Sequence, residues 1–153
     1  MVRDNGADQL FIIHFNASES HTARGTLEVR QDPNLPGSLP EDIEFIDSVL
    51  DHMVSAMQPF DAGCNRRAHV VKDTTVATDI YMGNEVIYHP VRAGYCEVEF
   101  IDFGAQTPND RTDDAVDILL NTGGNADVVK TAIANAMRDG IIRDLRTQPG
   151  PRP

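Results

Sequence analysis

The chain has 153 residues, of which 24 are acidic and 13 are basic, and its formal net charge is −11. This length suits a single domain with a substantial buried core, and the negative charge opposes binding to nucleic acid or to an anionic membrane. No apolar run is long enough to span a bilayer, and the first residues lack the apolar segment of a secretory signal. We therefore expect one domain over residues 1–153, with a polar arm (1–8) and a Pro-rich tail (147–153), located in the cytoplasm or within an assembled particle.

The first two predicted elements are strands. Residues 10–15 form a short apolar run with β-prone side chains, which is typical of a buried strand. Residues 26–30 alternate between polar and apolar side chains, which predicts a second strand with one buried face. A segment with two prolines and a glycine, residues 32–37, then interrupts regular structure.

A long helix is predicted over about residues 39–58. Ser38 and Glu41 have the spacing of a capping box, and Pro40 is tolerated in the first turn. Apolar residues three and four positions apart form one stripe along this helix: Ile43, Ile46, Leu50, Met53 and Met57. We expect this stripe to pack against a sheet.

The middle third has the pattern of an antiparallel meander. Residues 67–72, 75–82 and 85–89 have strand patterns, and Gly83-Asn84 is suited to a hairpin turn. Residues 90–94 are predicted to turn the chain, and 95–103 to form the last long strand.

The C-terminal part is predicted to be mainly helical. A short helix begins at Thr112, and a second runs from Asn125 to Gly140 with a narrow stripe of small apolar residues. Ile141, Ile142 and Leu145 are expected to add a terminal strand or docking segment. The predicted fold class is therefore α+β: a mainly antiparallel sheet of about five to six strands, packed with one long and two shorter helices.

An acidic stretch extends from Gln31 to Asn65, without a single Lys or Arg. Most of it coincides with the predicted long helix, so the charge forms a face of that helix. Mutual repulsion between carboxylates at this spacing is relieved by salt or by a basic partner. We therefore predict an interface between acidic residues of one copy and basic residues of a neighbouring copy: Glu44, Asp47 and Asp51 against Arg138, Arg143 and Arg146.

Histidine and cysteine spacings do not form a metal-binding motif, so neither a metal nor another cofactor is predicted. His14, His69 and His89 lie on predicted strands and would meet on one sheet, with Glu97 or Glu99 nearby, only if the tertiary fold joins them. Such a His/Glu group would suit acid–base chemistry.

The two cysteines are expected to be reduced and partly buried thiols. Cys64 precedes Arg66 and Arg67, which would make its thiol more reactive if all three lay on the surface. No base is positioned beside it in the sequence, so a cysteine without a chemical role is the favoured interpretation.

No catalytic constellation follows from spacing alone, and the sequence therefore favours a non-enzymatic function. The leading hypothesis is a structural or assembly subunit of a larger particle, such as a virion component. One alternative is a small cytosolic enzyme or ligand-binding domain with a His/Glu site on the sheet. Another is an acidic inhibitor or mimic that binds a basic partner. The expected partners are proteins, as a homo-oligomer or a larger assembly, and neither nucleic acid nor membrane.

Overall fold

The computed structural model describes residues 9–31, 40–72, 92–101 and 118–147. Within these ranges the chain forms four strands and two long helices, with a π-helical turn at Ile118–Thr122 before the second helix. In chain order they are β1 (Gln9–Asn16), β2 (Leu27–Gln31), α1 (Pro40–Met57), β3 (Val70–Lys72), β4 (Arg92–Phe100) and α2 (Ala126–Thr147).

The four strands form one sheet in the order β1-β4-β2-β3. β1 runs parallel to β4, β2 runs parallel to β3, and β2 is antiparallel to β4. The mixed α+β class is confirmed, but a mainly antiparallel sheet of five to six strands is not supported. Alternation along one strand reports which side chains are buried, whereas the direction of its neighbour depends on distant parts of the chain.

Several predicted elements lie outside the described residues. They are the polar arm, most of the meander with its hairpin turn, all but the last residues of the helix beginning at Thr112, and the end of the Pro-rich tail. No described helix is both long enough and apolar enough to cross a membrane.

The central strand β4 is buried along its whole length and begins earlier than predicted. Gly94, which we expected to lie in a turn, is inside the strand and pairs with Phe11 of β1. A Cβ atom at Gly94 would lie 3.2 Å from side-chain atoms of both Phe45 and Ile46. The glycine therefore allows α1 to approach the sheet closely, and it does not turn the chain.

The long helix α1 agrees with the predicted range. Its buried residues include most of the predicted stripe together with its neighbours: Phe45, Ile46, Val49, Leu50, Met53 and Met57. Ile43 is 37% exposed and lies outside the core. The buried face of α1 contacts both β4 and α2, and these helices enclose the larger cluster of buried apolar side chains. A second, smaller cluster is formed by strand residues: Leu27, Val29, Ala93, Tyr95 and Phe100.

The last helix α2 extends past Gly140 to Thr147. Of the two alternatives predicted for this segment, the terminal strand is therefore wrong, while Ile141 packs against the core. A Cβ atom at Gly140 would lie 2.5 Å from the Cα of Val49, and the Ser48 hydroxyl donates a 3.1 Å hydrogen bond to the Gly140 carbonyl. Gly140 is therefore the point where the two helices cross most tightly. A glycine that ends a helix and one that permits helix contact are identical in sequence.

Candidate active site

Two side chains with acid–base capability meet near the carboxyl ends of β1 and β4. His14 of β1 pairs in register with Glu97 of β4. Neighbouring strands lie about 4.8 Å apart, and residues paired in register across parallel strands project from the same face. In open sheets with parallel strands, ligands bind beyond the carboxyl ends of those strands. The structure thus joins two residues that the sequence could only list as candidates.

Tyr95 connects the two members of this pair. Its ring stacks on the imidazole of His14, with ring centroids 5.6 Å apart and planes inclined by 26°. Its side chain is also hydrogen-bonded to the carboxyl group of Glu97. Sequence analysis did not name Tyr95 as a site residue. Its position two residues before Glu97, on the same face of an alternating strand, was the available signal.

The carboxyl group of Glu97 is buried, with 8% of the residue exposed. One of its oxygens, Oε2, has no hydrogen-bond partner among the described residues. Burial raises the pKa of Glu97, while the charge of His14 and the hydrogen bond with Tyr95 lower it to a smaller extent. A carboxyl group with a raised pKa exchanges protons closer to neutral pH than an ordinary glutamate does.

The surroundings of His14 differ from those of Glu97. His14 is exposed to solvent, whereas Glu97 and Tyr95 are buried beside it. A buried proton acceptor next to an exposed imidazole gives two titratable groups in unlike environments, which is the arrangement that acid–base catalysis uses. This pair can remove a proton from a water molecule and return it to a leaving group.

The other predicted members of the His/Glu group are not part of this pair. His69 is exposed in the segment before β3, and His89 lies outside the described residues. Glu99 follows a register shift between β1 and β4, because His14 pairs with Glu97 whereas Asn16 pairs with Phe100. That shift adds one residue to β4 and separates Glu99 from the regular alternation of the strand.

Both cysteines are free and buried. Burial raises the pKa of the Cys64 thiol to about 11 and that of Cys96 to about 12. Neither thiol therefore ionises appreciably near neutral pH, and neither is an activated nucleophile. The favoured interpretation of Cys64 agrees with this, although it is packed in the core rather than on a surface loop.

Two of the predicted interface acids are engaged within the chain. Arg66 forms ion pairs with both Asp47 and Asp51, the latter at 2.9 Å, and a third at 3.0 Å with buried Glu28 of β2. Glu44 is exposed on α1. The acidic side of α1 therefore faces a basic residue of the same chain, in the segment that precedes β3.

The basic members of the predicted interface lie on the exposed side of α2. Arg138 forms a 2.8 Å ion pair with the neighbouring Asp139, and Arg143 and Arg146 lie closer to the end of the helix. The pairing of these arginines with acids of another copy stays a prediction.

No family model matches the chain, and no curated protein matches it. Its fold is nevertheless shared by solved amidase structures. The CwlD amidase from Clostridioides difficile, in complex with the GerS lipoprotein, has a TM-score of 0.64 and 18% identity, over 96% of this chain and 59% of that chain. The catalytic domain of CwlV, an N-acetylmuramoyl-L-alanine amidase from Bacillus (Paenibacillus) polymyxa var. colistinus, has a TM-score of 0.62 and 16% identity, over 96% and 63%.

A third similar structure is Ami1, the N-acetylmuramyl-L-alanine amidase from Mycobacterium smegmatis, with a TM-score of 0.60 and 16% identity, over 97% of this chain and 58% of that chain. The chain thus spans about three-fifths of the length of these proteins. At such low identity the likeness shows the fold alone. Because all three neighbours are amidases, the prediction of a non-enzymatic particle subunit or virion component is wrong, and the alternative with a His/Glu site on the sheet is better supported.

Proposed function

We propose that the chain carries acid–base residues of an amidase that hydrolyses an amide bond of the N-acetylmuramoyl-L-alanine type. The observation that supports this most directly is the in-register pair of His14 and Glu97 at the carboxyl ends of two parallel strands. By analogy, the fold shared with three amidases favours amide hydrolysis over other acid–base reactions.

The chemistry assigns a separate task to each side chain. Ionised Glu97 accepts a proton from a water molecule as the water oxygen attacks the amide carbonyl carbon. The protonated carboxyl group then donates this proton to the amide nitrogen, so that the C–N bond breaks and an amine and a carboxylic acid are released. His14 lies beside the reacting carbonyl and donates a hydrogen bond to its developing negative charge. Tyr95 holds both groups in place through the stack and the hydrogen bond described above.

The pair by itself does not fit a catalytic zinc site. Such sites use three protein ligands and a water molecule. Within the described ranges no group of three His, Cys, Asp or Glu side chains is arranged to hold a metal ion. The expected absence of a bound metal stays a prediction, which elemental analysis of protein purified without chelator would test.

The direct test is release of alanine amino groups from purified peptidoglycan, measured by labelling of new N-terminal alanine. Wild-type protein should release them, and His14→Gln and Glu97→Gln should lower the rate by about 10²- to 10⁴-fold, the usual contribution of general acid–base catalysis. Matched controls are His69→Gln and Glu44→Gln, which change exposed residues outside the pair and should remain within about twofold of wild type. Absence of alanine release by the wild-type chain, or full activity of both pair variants, would refute the proposal.

Association with another protein is a further part of the proposal. One structural neighbour was solved with a lipoprotein partner, which supports protein interaction for this fold. For this chain, the partner, the oligomeric state and a location in the cytoplasm or within an assembled particle stay predictions. Size measurement under native salt tests the first two.

A further inference from the structure

A second carboxylate, Glu99, lies on β4 just after the His14–Glu97 pair, where the register between β1 and β4 shifts. It is fully buried, with 0% of the residue exposed. Its Oε1 accepts hydrogen bonds from the backbone N–H of Gly25 and, at 3.1 Å, from that of Phe100. Its Oε2 has no hydrogen-bond partner among the described residues. The Cys64 thiol is also hydrogen-bonded to the carboxyl group of Glu99. A buried carboxyl group needs such partners, because an unsatisfied one is costly in a protein core.

The hydrogen bond to Gly25 ties down the end of a loop that begins directly after the candidate active site. This site loop, residues 17–25, leaves the end of β1 two residues after His14. Its first end is held by the N–H of Ile101, which donates a 2.9 Å hydrogen bond to the carbonyl of Asn16. Its other end is held by Glu99. Both anchors therefore come from β4 or from the residue that follows it.

The backbone around the second anchor has little freedom. Gly25 has a φ of +101°, and a Cβ atom there would clash with the carbonyl oxygen of Asn65. The next residue, Thr26, donates from its N–H to that same carbonyl at 3.0 Å, and its hydroxyl donates to the carbonyl of Val98 at 2.9 Å. The backbone at Gly25 and Thr26 is thus held by the carbonyl groups of Asn65 and Val98 and by the carboxylate of Glu99.

We infer that Glu99 is a positioning residue, which sets the site loop against the His14–Glu97 pair by accepting the Gly25 N–H. Loops at the carboxyl ends of parallel strands contact the substrate in this type of sheet. Loss of the anchor should therefore weaken substrate binding more than it slows the chemical step. The catalytic part of this inference rests on the proposed function, whereas the anchoring of the loop does not.

Two variants distinguish the hydrogen-bond acceptor of Glu99 from its charge. Glu99→Gln keeps an oxygen that accepts both N–H groups and removes the charge, whereas Glu99→Met keeps similar length and loses the acceptor. We expect the amides of the site loop to exchange hydrogen about tenfold faster in Glu99→Met, as expected for the loss of one hydrogen bond. KM should rise about tenfold with kcat within about twofold. Glu99→Gln should resemble wild type in both measurements.

Thr26→Val provides a second test that leaves the carboxylate intact. It preserves side-chain shape, removes the hydroxyl bond to the Val98 carbonyl, and should show a smaller rise in loop exchange in the same direction. If wild-type protein does not cleave substrate, the proposed function fails while the exchange measurement still decides the anchoring. Equal loop exchange in wild type and Glu99→Met would overturn the inference. A fall in kcat with unchanged KM would also overturn it, because that result assigns Glu99 to the chemical step.

Discussion

The two ends of the β1–β4 pair both contain a buried carboxylate but differ in how its charge is satisfied. At the amino end, Asp144 of α2 accepts from Arg92 at 2.6 Å and from Gln9 at 2.5 Å. At the carboxyl end, Glu97 lies beside exposed His14, and one of its oxygens has no hydrogen-bond partner among the described residues. The first end is a closed ion pair, whereas at the second end one buried carboxylate oxygen has no such partner in the described ranges.

The amino end of this strand pair therefore stabilises the fold, whereas the carboxyl end contains the residues of the proposed chemistry. Asp144 belongs to the end of α2, so its ion pair with Arg92 fastens that helix to the sheet. Removing one member of a buried pair leaves an unpaired buried charge. Glu97 is in the opposite situation, because one oxygen of its carboxyl group has no hydrogen-bond partner in the part of the chain that the structure describes. Its replacement should therefore relieve a cost rather than create one.

The largest expected effect is at the amino end. Asp144→Ala should lower the free energy of unfolding by about 3–5 kcal/mol, because Arg92 would remain buried without its counter-charge. Urea denaturation measures this change. Asp139→Ala on the same helix is the matched control: its ion pair with Arg138 is exposed and should be worth less than about 1 kcal/mol. Equal effects of the two substitutions would contradict the closed ion pair.

The next effect concerns the core that supports both ends. Leu50 is fully buried in α1, and Leu50→Ala should lower the free energy of unfolding by about 2–5 kcal/mol through lost burial and a cavity. This loss should be the same at acid and neutral pH, because no ionisable group changes. A well-folded variant destabilised by less than about 0.5 kcal/mol would show that α1 presents a different face to the sheet.

At the carboxyl end, replacing the buried carboxylate should raise the free energy of unfolding, whereas Asp144→Ala should lower it. Since the pKa of Glu97 is raised in the folded state, the folded protein binds this proton more tightly than the unfolded chain does. The contribution of Glu97 to stability is therefore lost as pH rises from the ordinary glutamate pKa through the raised value. Glu97→Gln should increase the free energy of unfolding by about 1–3 kcal/mol at pH 8, the cost of an unsatisfied buried polar group.

Thermal unfolding of wild type and Glu97→Gln across pH tests that sign. The gain should disappear below the ordinary pKa of glutamate, where wild-type Glu97 is also protonated. Glu44→Gln, an exposed change of the same chemical type, should show no such pH dependence. A Glu97→Gln variant less stable than wild type at pH 8 would mean that the carboxylate is satisfied, as Asp144 is.

The smallest expected effect is on the acidic side of α1. Replacing Glu44, Asp47 and Asp51 with Gln or Asn should cost up to about 1 kcal/mol, because the ion pairs to Arg66 are partly exposed. If this side also contacts another copy, the triple variant should form smaller species at low salt. If variant and wild type have the same size at every salt concentration, the acidic side forms only the intramolecular ion pairs with Arg66.

Sequence alone determined the elements whose signals are local. The capping box and the apolar stripe predicted α1 within about one residue of Pro40–Met57, since both features depend on neighbours within one or two turns. The apolar run of β1 and the alternation of β2 predicted those two strands for the same reason. A glycine can either end an element or allow close packing. At Gly94 and Gly140 the sequence does not distinguish these two roles, and the predicted turn and helix end were wrong.

Only the tertiary structure decided which distant residues meet. Parallel pairing of β1 with β4 places His14 beside Glu97, and α2 brings Asp144 to Arg92. No local pattern encodes these partners, because the register between distant strands is selected by the packing of the whole domain. Sequence could name His14, His69, His89, Glu97 and Glu99 as possible members of one site. Parallel pairing selected His14 and Glu97 from that set, and the register shift gave Glu99 a different set of contacts.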